Sequence, residues 1–492
     1  MSNPRGFLAM RLSEQDASFL YTETASSPMQ TAGIAVIEGE LSFDEVFRHY
    51  ATRIHLVPRL RQRLVFVPMN LTHPKWVDDP DFAIGNHIVH HEMPQGSTVE
   101  DAVDAIAVLN EGVMDRSRPM WKFFVVTGVK DRTLVLQQIH HAMIDGASAV
   151  QMSTLLLDFA PDAENPEPPE EPWEPAPLPT AIELVTEALQ ENANAALSSN
   201  PLALLSSNEQ TQDHLRRGFS TMTRFFTEPA ITAPWNASLL SAKRKLVYSV
   251  QTFAEFREIR RAFGGTINDV ALTVVTEGAA RYLVEHGEST QNQKFRLMCP
   301  VNVRTEDEAG ALGNKVSAIF PMFPASPLNV IERHQVVCEE TTRIKENEEA
   351  QAMTLMQESS ISIPAVAMAP LLLVGTPFDP TRFAATNPPP VLPNIGGRPP
   401  SFGVNFVLTN VPGVQVPQYI AGHEMLLTLG LMMMAGNMGL GIAVGSYNQQ
   451  MIFNFTADPR LLPDLNFFSD LVDDAFSELL AEARKQNEAA VA

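Results

Sequence analysis

At 492 residues the chain is longer than one hydrophobic core usually fills, so two domains are expected. A composition of 45% hydrophobic and 19% charged residues is that of a globular protein and excludes a disordered one. The formal charge of −22 argues against nucleic acid as a partner, and an anionic ligand would have to be held by local basic groups or helix N-termini.

Cys299 and Cys338 are the two cysteines, and neither sits in a metal-like pair, so no disulfide framework and no metal site are expected. Residues Met1 to Tyr21 lack the apolar core of a signal peptide, which points to a cytoplasmic protein. Two apolar stretches bear on membranes. Ile361 to Val374 is interrupted by Pro364 and Pro370 and is too short to span a bilayer. Met425 to Val444 is broken by Gly430, Gly436, Gly439 and Gly441, and reads as buried strands or a packed helix, with a hairpin turn at Ser446-Tyr447-Asn448. An integral membrane protein does not fit; a peripheral contact with an inner membrane, lipid droplet or inclusion stays open.

Taken in order, Ser13 caps a first helix with Asp16 in its first turn, a strand follows at Ala32 to Glu38, and Ser42 to His55 reads as an amphipathic helix. Pro58 to Val67 is a basic strand, either a solvated face or a partner for phosphates. His87-Ile-Val-His-His91 would offer two metal ligands on one helix face. Phe82, Ile84, Ile88 and Val89 favour an extended segment instead, with His90 and His91 on opposite faces. Helical spacing at Thr98 to Glu111 leads through Asp115-Arg-Ser-Arg-Pro-Met-Trp121 to strands at Phe123 to Val129 and Thr133 to Ile139.

That last strand runs into His140-His141-Ala-Met-Ile-Asp145-Gly146: two histidines, a tight turn, then a helix from Ala147 to Asp158. Pro161 to Pro179 alternates proline with glutamate as an extended, exposed linker, and helical pattern returns from Thr180 to Phe226. The second half opens with a strand at Leu246 to Val250 and a helix at Thr252 to Phe263. Asn268 and Asp269 stand at the N-terminus of the next helix. Strands are expected at Leu297 to Arg304, within Gly313 to Phe323 and at Phe402 to Thr409, with helices at Val330 to Glu349 and Asp464 to Lys485. Pro377 to Pro400 is a second proline-rich stretch, of a length that is usually functional or disordered.

A histidine fixed at a strand end suits proton abstraction from an alcohol or amine near neutral pH, worth roughly 10²–10⁴ in rate. The paired format suggests one ring in the chemistry and its neighbour in the packing. Asp145 is a triad-like orienter or a structural anchor for a basic side chain, and its place in the turn favours the anchor. Gly146 answers either a backbone angle or a close approach. No Gly-x-Ser-x-Gly elbow is present, so direct attack on an activated acyl group fits better than a covalent acyl-enzyme.

The paired histidines with Asp145 and Gly146 match the HHxxxDG motif of the CoA-dependent acyltransferase superfamily, which includes chloramphenicol acetyltransferase-like enzymes and peptide-synthetase condensation domains. Four further stretches narrow the resemblance. Leu12-Ser-Glu-Gln-Asp-Ala-Ser-Phe-Leu-Tyr-Thr-Glu23 resembles the N-terminal signature of bacterial wax ester synthase/diacylglycerol acyltransferases. Asp115-Arg-Ser-Arg-Pro-Met-Trp121 resembles that family's Pro-Leu-Trp motif with Met120 for leucine, Asn268-Asp269-Val270 its Asn-Asp motif, and Asn410-Val-Pro-Gly413 its late Asn-Val-Pro-Gly segment.

The resemblance implies an α/β (mixed α+β) fold of two chloramphenicol acetyltransferase-like domains, with a crossover and an interdomain active-site channel. The domains would be 1–160 and 236–492, joined by a linker and helical crossover at 161–235. It implies that His141 is the general base beside His140, and that Asp145 pairs with an arginine of the second half, for which Arg304 is the candidate. Asn268 is an oxyanion or acceptor contact or a plain helix cap; Trp121 and Asp269 are candidate substrate contacts, Trp121 more often packing. Acyl-CoA is the implied co-substrate, with a fatty alcohol or diacylglycerol as acceptor and no bound cofactor. Arg59, Arg61, Arg63, Lys243, Arg244 and Lys245 are CoA candidates by charge alone. Two departures stand out: Gln30 where relatives often carry histidine, and the long Pro377 to Pro400 stretch. A carrier-protein-dependent condensation or polyketide-associated acyltransferase and a non-catalytic lipid-binding protein are the competing readings. Monomer and homodimer are not distinguished.

Overall fold

The computed structural model describes residues 10–144, 146–198, 209–236, 240–302, 316–359 and 403–491. Local chemistry explains most element starts. In the first half, α1 (Glu14–Thr22) begins where Ser13 Oγ accepts from Asp16 N at 3.0 Å, as the sequence predicts. Strand β1 (Gln30–Glu38) follows. Helix α2 (Phe43–Ala51) starts in a reciprocal box between Ser42 and Glu45, and ends four residues before the expected His55. The basic stretch is strand only over β2 (Gln62–Val65), because Pro58 opens a tight turn through Arg61; β2 pairs with β3 (Lys75–Asp78) in a small two-stranded sheet.

The second histidine cluster is extended, in β4 (Ile88–Ser97). Helix α3 (Val99–Leu109), with its Thr98–Asp101 box, leads to β5 (Trp121–Val129), β6 (Arg132–His140) and α4 (Gly146–Leu156).

The Pro/Glu segment is irregular and mostly exposed but not loose. The Arg61 guanidinium lies 4.6 Å over the Trp173 ring, and Ala176 N donates to Asp78 Oδ2 at 3.1 Å. Helices α5 (Ala181–Ser198) and α6 (Glu209–Thr227) cross to the second half. There β7 (Lys245–Thr252), α7 (Phe253–Phe263), α8 (Ile267–Glu285), β8 (Lys294–Asn302), β9 (Val316–Ile319), β10 (Met322–Pro324), α9 (Val330–Glu346) and α10 (Glu349–Ser359) follow. After β11 (Phe406–Val411) and β12 (Tyr419–Ile420), the Met425–Val444 stretch resolves as strands, β13 (His423–Leu431) and β14 (Leu440–Tyr447). A two-residue turn, Asn448-Gln449 with both φ positive (44° and 64°), returns the chain as β15 (Gln450–Ala457). The closing helix is α11 (Leu465–Val491).

Two sheets organise these pieces. The first has the order β12-β13-β1-β6-β5-β4, the second β10-β8-β11-β14-β15-β7 with β9 also on β8. Each covers its own core: Tyr50, Trp121 and Phe123 in the first, Trp235, Phe295, Phe406 and Phe453 in the second. Helix α8 is buried on nearly every face beneath the second sheet, as its apolar sequence requires.

One strand pair crosses the expected division into 1–160 and 236–492. Tyr419–Leu431 lies in the first sheet, where β13 pairs antiparallel with β1 from Ala32↔Leu431 to Ile37↔Met425. Without it β1 would present an unpaired edge in the middle of its own domain. Buried Arg53 and His49 lock the crossing strand. Arg53 grips Asp158 with two bonds of 2.8 and 2.9 Å, Asp158 pairs with Tyr419, and His49 Nδ1 accepts from Ala421 N at 3.0 Å.

Candidate active site

His140 is the last residue of β6 and His141 the first of the turn that follows. Their backbone is pinned from both sides: His140 N donates to Met120 O at 2.9 Å and His141 N to Met29 O at 2.8 Å. The two side chains then part. His140 is fully buried, whereas His141 is half-buried with its ring stacked on Phe19 of α1, centroids 4.4 Å apart. This division of one buried and one accessible ring is what the paired format suggests.

The buried ring has a defined tautomer. Ala142 N donates to His140 Nδ1 at 3.1 Å, so the ring proton sits on Nε2. That nitrogen lies 3.3 Å from Glu23 Oε1, a close electrostatic contact without hydrogen-bond alignment, and is closed to water, since the Glu23 side chain is 1% exposed. Glu23 Oε1 accepts from Met29 N at 2.9 Å, and Oε2 from Arg116 Nη2 at 2.8 Å. Burial pushes this carboxyl up, but the nearby His140 ring and the bonds from Met29 and Arg116 outweigh it and hold it below the usual glutamate value. Arg116 also donates to Leu20 O, capping the last turn of α1.

Glu23, Phe19 and Arg116 were not singled out by sequence reasoning. All three lie inside the two stretches quoted for the family resemblance, which is the only signal the sequence carries for them.

Gly146 opens α4, and its φ is not in the left-handed region. A Cβ there would meet Val411 Cγ2 at 3.1 Å, which sets the histidine turn against the Asn410-Val-Pro-Gly413 segment of the second sheet. That segment is itself tightly fitted: a Cβ on Gly413 would lie 2.1 Å from Ser446 O. Asp145, Arg304 and the Pro377 to Pro400 stretch lie outside the described residues.

Asn268 is the second residue of α8, half-buried, and among the described residues no hydrogen bond engages its side chain. The cap of that helix is Thr266, not Asn268. Asp269 completes the cap: its Oδ2 accepts from Thr266 N at 2.7 Å and Oγ1 at 2.8 Å, and its Oδ1 from Thr341 Oγ1 at 2.8 Å. With both oxygens engaged and 2% exposure, Asp269 ties α8 to α9 rather than meeting substrate.

Trp121 takes the packing alternative rather than the substrate contact. It is 1% exposed, donates Nε1–H to Leu60 O at 2.7 Å, and stacks on His87 at 4.6 Å. Gln30 sits opposite His140 across the β1–β6 pair and donates to Asn110 O and Gly112 O at 2.7 and 2.6 Å, closing the chain that leaves α3.

Most of the charge-based CoA candidates are occupied. Arg59 lies over Trp76 and Arg61 over Trp173, Arg63 donates to Ser117 O, buried Arg244 to Ser241 O, and Lys245 pairs with Asp104 at 2.7 Å. Lys243 is exposed.

Comparison with known proteins decides the lineage. Residues 12–271 match the model of the wax ester synthase/diacylglycerol acyltransferase catalytic domain, and residues 312–480 that of the corresponding C-terminal domain. The chain belongs to the wax ester synthase/diacylglycerol acyltransferase family. It is therefore an acyltransferase.

Among similar proteins are a probable diacylglycerol O-acyltransferase of Mycobacterium tuberculosis and a putative one of Mycobacterium bovis. Each is 28% identical, with 96% of both chains covered. The fold is that of the wax ester synthase/diacylglycerol acyltransferase of Marinobacter aquaeolei VT8 (TM-score 0.64, 20% identity, 96% of this chain and 100% of that one). It is shared with the starter condensation domain of rhizomide synthetase, solved with C8-CoA (TM-score 0.58, 13% identity, 97% and 95% covered). This mixed α/β, two-sheet architecture is the one the resemblance implied. No helix of the described residues is long and apolar enough to cross a membrane.

Proposed function

We propose that this acyltransferase moves a fatty acyl group from acyl-CoA to the hydroxyl of a long-chain alcohol or a diacylglycerol, with His141 as general base. The carrying observation is the state of His141: an accessible imidazole on an immobilised backbone, beside a buried histidine of fixed tautomer. A base must be held against its target to act, and a ring that is both pinned and half-open meets that condition.

In the reaction, the His141 imidazole takes the hydroxyl proton as the oxygen attacks the thioester carbon. The carbonyl oxygen becomes an oxyanion. Its collapse breaks the C–S bond, and the CoA sulfur leaves with the proton returned by His141. No acyl-enzyme is required. The two cysteines are poor candidates for one, since burial pushes the Cys299 thiol up to about 12 and that of Cys338 up to about 11. Asn268, at the positive end of α8 with an uncommitted carboxamide, is proposed to meet the oxyanion or the acceptor. Asp145 is proposed as the anchor of the turn, paired with Arg304.

The names of the mycobacterial relatives make diacylglycerol the first acceptor to try. Purified protein is incubated with palmitoyl-CoA and either dipalmitoylglycerol or hexadecanol, following CoA release and ester formation. Ester with either acceptor supports the reading; CoA release and ester absent with both defeats it.

A further inference from the structure

The His140–His141 turn rests on a carboxylate that the proposed chemistry does not use. Glu23 follows α1 directly, and its Oε1 reaches the turn by two routes. One is lateral: Oε1 lies 3.3 Å from His140 Nε2, an electrostatic contact without hydrogen-bond geometry, and no other acceptor meets that nitrogen among the described residues. The other runs through a single peptide residue. Oε1 accepts from Met29 N at 2.9 Å, and Met29 O in turn accepts from His141 N at 2.8 Å. The same short element also supplies Phe19, stacked on the His141 ring. Arg116 meets the opposite oxygen, Oε2, at 2.8 Å and holds Leu20 O at 2.9 Å, so the carboxylate cannot turn away without releasing the end of α1.

We infer that Glu23 is a positioning residue for His141, acting through Oε1 on Met29 and His140 while Arg116 fixes the carboxylate plane. It touches neither substrate nor the reacting atoms. The inference rests on the reading of His141 as base.

The two oxygens have separate duties, and this separates geometry from charge. Glu23→Gln can keep an oxygen at the Oε1 position while losing the charge that Arg116 meets; Arg116 is partly exposed, so water can reach its guanidinium, and it keeps its bond to Leu20 O. Glu23→Asp keeps the charge and can keep the Arg116 pair, but withdraws the oxygen by one methylene from Met29 N and His140 Nε2. A base displaced by about an ångström costs on the order of 100-fold in rate. Glu23→Asp is therefore expected to lower kcat about 10- to 100-fold with KM for palmitoyl-CoA within threefold, and Glu23→Gln to retain at least about a third of wild-type kcat. A residue needed for its charge, or only for folding, would show the opposite order or parallel losses.

The test is steady-state CoA release by wild type, Glu23→Asp, Glu23→Gln and His141→Ala, each expressed per folded protein measured by near-UV circular dichroism. The expected order of kcat, wild type and Gln well above Asp, supports the assignment. Glu23→Asp within twofold of wild type, Gln as impaired as Asp, or a loss appearing in KM overturns it. Failure of the underlying reading has a different signature: an inactive wild type, or His141→Ala that still turns over.

Discussion

His49 gives the sharpest physical prediction outside the site. It is 5% exposed, and its ring is fully committed as a neutral species: Nδ1 accepts from Ala421 N at 3.0 Å, so the proton is on Nε2 and is donated to Leu156 O at 2.9 Å. Burial, and then the adjacent Arg53 charge, hold its pKa down to about 4. Unfolding frees the ring to its ordinary value near 6.5.

Between those two values the unfolded chain binds the extra proton, so stability is fully present above about pH 6.5 and falls as pH drops toward 4. A fall from 6.5 to about 4, at about 1.4 kcal/mol per pH unit, amounts to roughly 3 kcal/mol. The crossing strand β12 and the end of α4 should loosen first, since both hang on this ring. The assay is urea unfolding of wild type and His49→Gln at steps from pH 7 to pH 4. The variant should start less stable by the lost bonds, about 1–3 kcal/mol. The gap should then narrow as wild type loses its His49 contribution. Stability curves that stay parallel across this range would refute the reasoning.

Three further outcomes follow from the geometry. Trp121→Phe should lower stability by about 1–3 kcal/mol, from the stranded Leu60 carbonyl and lost packing, while leaving KM for both substrates unchanged in steady-state assays; a raised KM would return Trp121 to the substrate contacts. Gly413→Ala should destabilise by at least about 2 kcal/mol in thermal or urea melts, because its Cβ would sit 2.1 Å from a backbone oxygen that cannot yield cheaply. Cys299→Ala/Cys338→Ser should keep kcat within about twofold and form no less ester than wild type; an abolished rate in the folded double variant would point to a thiol acyl-enzyme.

The parts of this protein legible in its sequence are those whose physics is local. Ser13 capping α1, the end of β6 at His140, the turn and the helix after it, and the extended form of the second histidine cluster all follow from side chains within about four positions of one another. Where local signals conflict, the reading stays open. Met425–Val444 could have been strand or helix, and only pairing with β1 and β15 made it strand. Asn268 and Asp269 were recognisable as a helix start, yet which residue caps the helix depended on Thr266.

Tertiary structure alone decided the rest, because the deciding contacts join residues far apart in the chain. Trp121 became core when Leu60 supplied an acceptor, 61 positions away. Gly146 meets Val411 of the other sheet, and Ile37 faces Met425 across the crossover. Glu23 came under His140 and within reach of Arg116 only when α1 packed beneath the end of β6. A sequence states which groups can hold a proton or a charge. Which of them are brought to each other, and which are sealed from water, is set by the sheet that forms around them.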